Sequence, residues 1–244
     1  MKQYEAVIRV MEENGGYATF AHLNQHVLRV PGCEWKTRTP FASIRRIVQE
    51  NPVFFRVKPG LWALESYRDR LPAEMLPGAR ETEEQRLFTH SYYQGLLVEV
   101  GNLRRFETLI PAQDRNRTFL ANRRLGDLAS LARIRPFTYD AVVARAATID
   151  VVWFNGRGFP AGLFEVEHST DMKNSLLKFI ELQDFRTDMT IVADAVRKRQ
   201  FEHALEMTAF GALRGRVRFW SYEQLAGLHT KTSELAVVEQ SLDR

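Results

Sequence analysis

Thr148-Ile149-Asp150-Val151-Val152-Trp153-Phe154, then Asn155-Gly156-Arg157-Gly158-Phe159-Pro160, then Ala161-Gly162-Leu163-Phe164-Glu165-Val166-Glu167-His168 is the stretch on which the fold turns. Two runs rich in β-branched and aromatic residues enclose a cluster of Asn, Gly and Pro, the pattern of a β-hairpin with a loop of moderate length. With the loop at Asn155 to Pro160, antiparallel pairing sets Phe154 opposite Ala161 and Asp150 opposite Glu165. Side chains alternate between faces along a strand, so Glu167 points the same way as Glu165. Three carboxylates are therefore expected in one patch.

Carboxylates held this close repel one another and bind protons more tightly unless a cation sits among them. Mg2+, a hard ion that takes one or two carboxylates with water and phosphate oxygens, suits such a patch. A bound ion of this kind lowers the pKa of a water and stabilises charge on a phosphoryl oxygen, which is the chemistry of phosphodiester hydrolysis. The plainer alternative makes the two Glu residues solvated positions on an antiparallel sheet. Against it, both strands are apolar at nearly every other position, as in a buried central hairpin.

At these residues the sequence resembles the PD-(D/E)XK nuclease superfamily, the fold of many restriction endonucleases. That family carries an Asp on one strand and Glu-x-Lys on its partner; Asp150 and Glu165-Val166-Glu167 hold those positions. Glu167 stands where the family usually has Lys, an E-x-E variant that leaves open which group orients the attacking water. The resemblance implies that Asp150 and Glu165 ligate Mg2+ and that Glu167 holds or deprotonates the water. Lys173 or Lys178, on the helix after the hairpin, would replace the missing ammonium, with Lys178 preferred. It also implies an acidic ligand from the helix before the first core strand, where Glu99 is the best match, with Gln94 and His90 one or two turns back.

The remainder of the chain is read outward from this hairpin. With 244 residues, 45% apolar and 26% charged, it is long enough for two domains with real cores. The net charge of +4 favours an anionic partner. Cys33 is the single cysteine, so neither an internal disulfide nor a thiolate metal site is expected. The N-terminus lacks the apolar core of a signal peptide and no run is long enough to span a bilayer, so a cytoplasmic protein without a membrane partner is expected.

Residues 1–65 read as three helices and a hairpin. Tyr4 to Glu13 carries a helical apolar stripe ended by Asn14-Gly15-Gly16; Thr19 caps a second helix; Thr39-Pro40 opens a third that runs to about Gln49. Val53 to Val57 and Leu61 to Leu64 flank the turn Lys58-Pro59-Gly60. This is the winged-helix order, and the segments Lys36 to Pro40 and Phe55 to Leu64 resemble the HARE-HTH type of winged helix. By that resemblance Lys36, Arg38, Ser43, Arg45, Arg46 and Gln49 face DNA, and Arg56 and Lys58 on the wing meet phosphates. Winged helices also dock proteins, which leaves a solvated helix face as the alternative. Residues 66–82, with Leu71-Pro72 and Leu76-Pro77-Gly78, read as a linker, and 83–244 as the nuclease-like domain.

A long helix is expected from Glu83 to Asn102 and a strand from Phe106 to Pro111. A basic run follows, Arg104, Arg105, Arg115, Arg117, Arg123, Arg124, Arg133 and Arg135, which would grip a phosphate backbone beside the hairpin or merely solubilise a surface loop. After the hairpin, Ser169 or Thr170 caps a helix from Met172 to Phe185, and His168 is either part of the site or a structural hydrogen-bonder. A strand at 188–193, a helix at 197–212 and a strand at 216–220 want a right-handed parallel crossover. Short helices at 223–227 and 233–242 finish the chain. The order α-β-β-β-α-β-α-β predicts an α/β fold, a mixed central sheet flanked by helices, restriction endonuclease-like, behind an N-terminal winged helix.

The functional expectation is a Mg2+-dependent endonuclease for double-stranded DNA, of the type II restriction or defence kind, and a homodimer if it cuts both strands. The principal alternative is a catalytically inactive DNA-binding regulator with the same fold. An RNA-cutting or structure-selective nuclease is a further one. A carboxylate-pair glycosidase is disfavoured, because neither the basic composition nor the winged helix serves a sugar substrate.

Overall fold

The computed structural model describes residues 1–76, 78, 81–168 and 171–242; Pro77 of the connecting stretch and the cap expected at Ser169 or Thr170 lie outside them. The chain divides into two compact units, one made of residues 1–85 with 226–244, the other of residues 86–225.

In the first unit, α1 (Gln3–Glu13), β1 (Tyr17–Thr19), α2 (Phe20–His26), α3 (Pro40–Glu50), β2 (Phe54–Lys58) and β3 (Leu61–Leu64) follow one another. Gly15 and Gly16, at φ +82° and +89°, end α1 in a backbone region that glycine enters without steric cost. The Thr19 hydroxyl accepts from the His22 amide at 3.3 Å, the cap that its place before an apolar period predicts. Pro40 occupies the first turn of α3, where a missing N–H is harmless. The strand β1, too short to show alternation, joins the hairpin as an antiparallel sheet in the order β1-β3-β2. Val7, Met11, Leu23, Ile44 and Val48 are fully buried in its core, each burial stabilising by about 1.5–3 kcal/mol.

The second unit is built from α4 (Glu83–Leu103), β4 (Glu107–Leu109), α5 (Leu125–Leu128), α6 (Asp140–Ala146), β5 (Val151–Phe154), β6 (Pro160–Glu167), α7 (Met172–Ile180), β7 (Asp188–Ala193), α8 (Lys198–Glu206) and β8 (Val217–Ser221). Its five strands lie in the order β4-β5-β6-β7-β8. The first three pair antiparallel and β6, β7 and β8 run parallel, which makes the mixed central sheet that the element order predicts. Val152, Leu163, Met189, Ile191, Leu176 and Phe179 belong to its apolar core.

The hairpin has the expected register over its length: Val151 faces Phe164, Val152 faces Leu163 and Trp153 faces Gly162. At the loop end the pairing differs. Phe154 faces Pro160, with an irregularity after Trp153 that passes over Ala161, the local slip a bulge produces. Continued the other way, the same register brings Asp150 level with Glu165.

Helix α4 is buried on nearly every side from Phe88 to Gly101, so its apolar residues show no single stripe. A Cβ on Gly95 would collide with the ring of Phe119, and one on Gly101 would lie 2.6 Å from Trp153 Nε1. The indole N–H of Trp153 donates to the Leu97 carbonyl at 3.1 Å, which joins α4 to β5. Two helices are shorter than expected: α7 ends at Ile180 rather than Phe185, and α8 at Glu206, followed by 3-10 turns at Thr208–Leu213. The two short helices expected at the end are one, α9 (Tyr222–Leu242), which passes through Gly227. Glycine there costs about 1 kcal/mol relative to alanine, and the helix continues beyond it through the buried His229, Thr230 and Ser233.

No helix among the described residues is long and apolar enough to cross a membrane.

Candidate active site

The hairpin fixes its first two acids by crossed main-chain bonds. The Val166 amide donates to Asp150 Oδ2 at 2.8 Å, and the Asp150 amide donates to Glu165 Oε1 at 3.3 Å. From α7, Lys178 Nζ donates to both Glu165 oxygens, at 2.9 and 2.8 Å, and to the Thr148 carbonyl at 3.0 Å. Lys173, the other candidate ammonium, is exposed. One turn before Lys178, the Ser175 hydroxyl donates to Glu165 Oε2 at 2.9 Å and also touches Glu167 Oε1. Glu165 and Glu167 thus share a face, as strand alternation requires. A hydroxyl has one proton, so both contacts become hydrogen bonds together only when one carboxyl carries a proton of its own.

Arg197 takes the other side of Glu167, with Nη1 4.0 Å from its carboxylate and 2.9 Å from its carbonyl. His168 Nδ1 lies 3.2 Å from the Tyr222 hydroxyl, the structural hydrogen bond among its two expected roles.

Burial dominates the electrostatics. Glu165 is 2% exposed, and burial, followed by the charge of Asp150, pushes its carboxyl from 4.5 up to about 8, against the opposing pull of Lys178 and Ser175. The Asp150 side chain is 13% exposed. Burial raises its pKa as well, while His90, the Val166 amide and Lys178 oppose the shift.

Helix α4 adds a third edge. His90 Nε2 lies 3.6 Å from Asp150 Oδ2. Gln94, one turn on and so on the same face, donates from Nε2 to Asp114 Oδ2 at 2.9 Å and to the Asp150 carbonyl at 3.1 Å. Asp114 comes from the turn after β4 and pairs with Arg117 at 3.0 Å. Donor atoms of His90, Asp114 and Asp150 all lie within 4.8 Å of one another, an arrangement able to hold a metal ion.

Glu99, the expected acidic ligand from this helix, does not reach the group. It lies nine residues past His90, about two and a half turns, and so on the opposite side of α4; there it pairs with Arg123 at 3.0 Å. Asp114 carries no local motif and is a single negative charge within the arginine run. Its available signal was positional. Since Leu109 faces Val152, the chain beyond β4 arrives level with Asp150.

Many arginines of the basic run bind the chain itself. Arg115 donates to the carbonyls of Leu131 and Gly126 at 3.1 and 3.2 Å, Arg117 meets Asp114, and Arg135 forks onto Glu107 at 2.9 and 2.7 Å. Arg104 and Arg105 are exposed. In the first unit Lys36, Arg38, Arg46, Gln49 and Arg56 are exposed, whereas Ser43 and Lys58 are half-buried. Lys36 lies 3.5 Å from Glu34, and burial lowers the pKa of Lys58. Arg45 is ion-paired with Glu234 of α9.

No curated protein and no solved structure matches the chain. Residues 70–244 match the model of the family described as the type II restriction enzyme NmeDI C-terminal domain, which spans more than half of the chain. The chain belongs to that family.

Proposed function

We propose that this chain, as a member of that family, is a metal-dependent endonuclease of the restriction or defence type, which hydrolyses phosphodiester bonds in double-stranded DNA. The observation that carries the reading is the cluster at one end of the mixed sheet, where half-buried Asp150 and buried Glu165 stand side by side and Lys178 binds both oxygens of the latter. In this reading the second unit is a PD-(D/E)XK domain in its E-x-E form, with the ammonium supplied from α7.

The residues fit a divalent cation. Asp114, buried, and Asp150, half-buried, provide carboxyl oxygens and His90 an imidazole, and the burial that raises the pKa of Asp150 is what a bound cation would offset. Mg2+ is the ion the superfamily resemblance implies, with Asp150 as its central ligand. A divalent ion held there supplies an acidified water and stabilises charge on a phosphoryl oxygen. Lys178 offers its amino group to the scissile phosphate and holds Glu165 in place. Glu167, steered by Ser175 and Arg197, orients the attacking water.

The division into a winged-helix DNA-binding domain at 1–65, a linker at 66–82 and a nuclease domain at 83–244 belongs to the same proposal, with residues 226–244 of that stretch grouped with the first unit. The three helices and hairpin of the first unit support it, as do the exposed Lys36, Arg38, Arg46, Gln49 and Arg56. Cutting both strands calls for a second copy of the chain.

One observation favours a second reading: with Glu167 in place of the usual Lys, the chain would serve as a DNA-binding regulator that does not cut. Asp150→Ala separates the two. The nuclease loses divalent-ion-dependent cleavage of plasmid DNA while retaining duplex binding. A wild-type protein that binds DNA and leaves plasmid intact with every divalent ion offered is the regulator.

A further inference from the structure

We infer that the metal of this site is held by His90, Asp114 and Asp150, with Glu165 outside its ligand set, and that the site therefore takes a divalent ion that accepts nitrogen, such as Mn2+, in preference to Mg2+. The inference rests on the nuclease reading and departs from the ligand pair that the superfamily resemblance implies.

Lone-pair capacity is the first argument. A carboxylate offers about four acceptor positions. On Glu165 they are taken: Oε1 accepts from Lys178 at 2.9 Å and from the Asp150 amide at 3.3 Å, and Oε2 accepts from Lys178 at 2.8 Å and from Ser175 at 2.9 Å. An ion at Glu165 would have to displace an ammonium seated on both oxygens.

The opposite edge of Asp150 is different. His90 Nε2 lies 3.6 Å from Asp150 Oδ2, and one donor atom from each of His90, Asp114 and Asp150 lies within 4.8 Å of the other two. Ligands on one ion with bonds of about 2.1 Å stand about 3 Å apart when adjacent and about 4.2 Å apart when opposite, so the three side chains draw in by as much as about 1–2 Å to share it.

Gln94 is the second, independent observation. Its side chain is 0% exposed, and Nε2 is committed to Asp114 and to the Asp150 carbonyl. Oε1 of the same amide is buried without a hydrogen-bond partner. A buried acceptor of this kind needs a donor, and water in the coordination shell of a cation offers one where two carboxylates cannot.

Ligand softness sets the choice of ion. An all-oxygen site suits Mg2+, whereas an imidazole raises affinity for the first-row transition ions.

The test is electron paramagnetic resonance of Mn2+ bound to the full chain, with titrations of Mn2+ and Mg2+. The expected spectrum shows nitrogen coupling, which changes when the histidines carry 15N and disappears in His90→Ala. Mn2+ affinity falls about tenfold or more in His90→Ala and stays within about threefold in Glu165→Gln. Absence of nitrogen coupling in the wild type overturns the inference, and the isotope arm decides this even if His90→Ala does not fold. Loss of Mn2+ in Glu165→Gln equal to that in His90→Ala overturns it too. Plasmid cleavage measured in parallel keeps the two readings apart. Nitrogen-coupled Mn2+ without cutting supports the metal centre and removes the nuclease, whereas cutting without nitrogen coupling retains the nuclease and removes this centre.

Discussion

Lys178, near the end of α7, binds both oxygens of Glu165 on the preceding strand, at 2.9 and 2.8 Å. An ammonium so placed is fixed before substrate arrives, which is the condition under which a charge lowers a barrier. Lys178→Met is expected to slow cleavage of supercoiled plasmid about 100-fold or more, the usual cost of removing one preorganised charge or donor. Lys178→Arg recovers part of the rate. A Met variant that cuts as fast as the wild type would remove Lys178 from the chemistry.

The Glu165 carboxyl, raised from 4.5 to about 8, makes the metal-free protein sensitive to pH. Its folded form binds a proton more tightly than its unfolded form, so this contribution to stability is full below 4.5. It declines as pH rises and is gone above about 8. Urea midpoints measured with chelator from pH 4.5 to 8.5 should fall across that window, and Glu165→Gln should flatten the fall. An unchanged slope in the Gln variant would place the titration elsewhere.

Gly95 brings α4 against the ring of Phe119 with no room for a side chain. Gly95→Ala is expected to cost about 1–3 kcal/mol through overpacking. The same shift moves His90 and Gln94, so metal affinity should fall together with stability. Chemical denaturation and Mn2+ titration on one preparation check both.

Arg46 is exposed on α3, while its neighbour Arg45 is paired with Glu234. If the first unit grips DNA, Arg46→Ala weakens duplex binding and reduces the salt slope by about one unit. Arg45→Ala leaves that slope nearly unchanged and instead costs about 1 kcal/mol of stability, because the largely buried Glu234 keeps only its pairing with Lys231 at 2.7 Å. Fluorescence anisotropy at several salt concentrations, with a denaturation curve for each variant, separates the two arginines.

Local chemistry made much of this architecture readable. The hairpin register from Val151 to Trp153, the cap at Thr19 and proline at the start of α3 follow from alternation and from which residues satisfy or lack an N–H. Ala161 escaped because a bulge is decided by loop closure rather than by the pattern of apolar residues. Asp114 escaped, and His90 stood behind Glu99 among the α4 candidates, because both meet Asp150 only once β4 lies against β5 and α4 packs onto the sheet, contacts between residues far apart in the chain. Glu99 misled for a related reason: any acid on a helix shared by all faces with protein looks like a candidate until the helix phase is known. Several arginines of the basic run looked like a phosphate grip because composition cannot tell a guanidinium aimed outward from one, such as Arg115, that holds two loop carbonyls.

Residues 226–244 group with residues 1–85, so the first unit is assembled from two ends of the polypeptide and the second is spliced between them. A truncated clone ending near residue 85 would therefore lack one wall of the very module it was meant to isolate, and Arg45 would lose its counter-ion. Dissection of the two units is better attempted by excising the inserted segment and bridging the gap than by cutting in the connecting stretch.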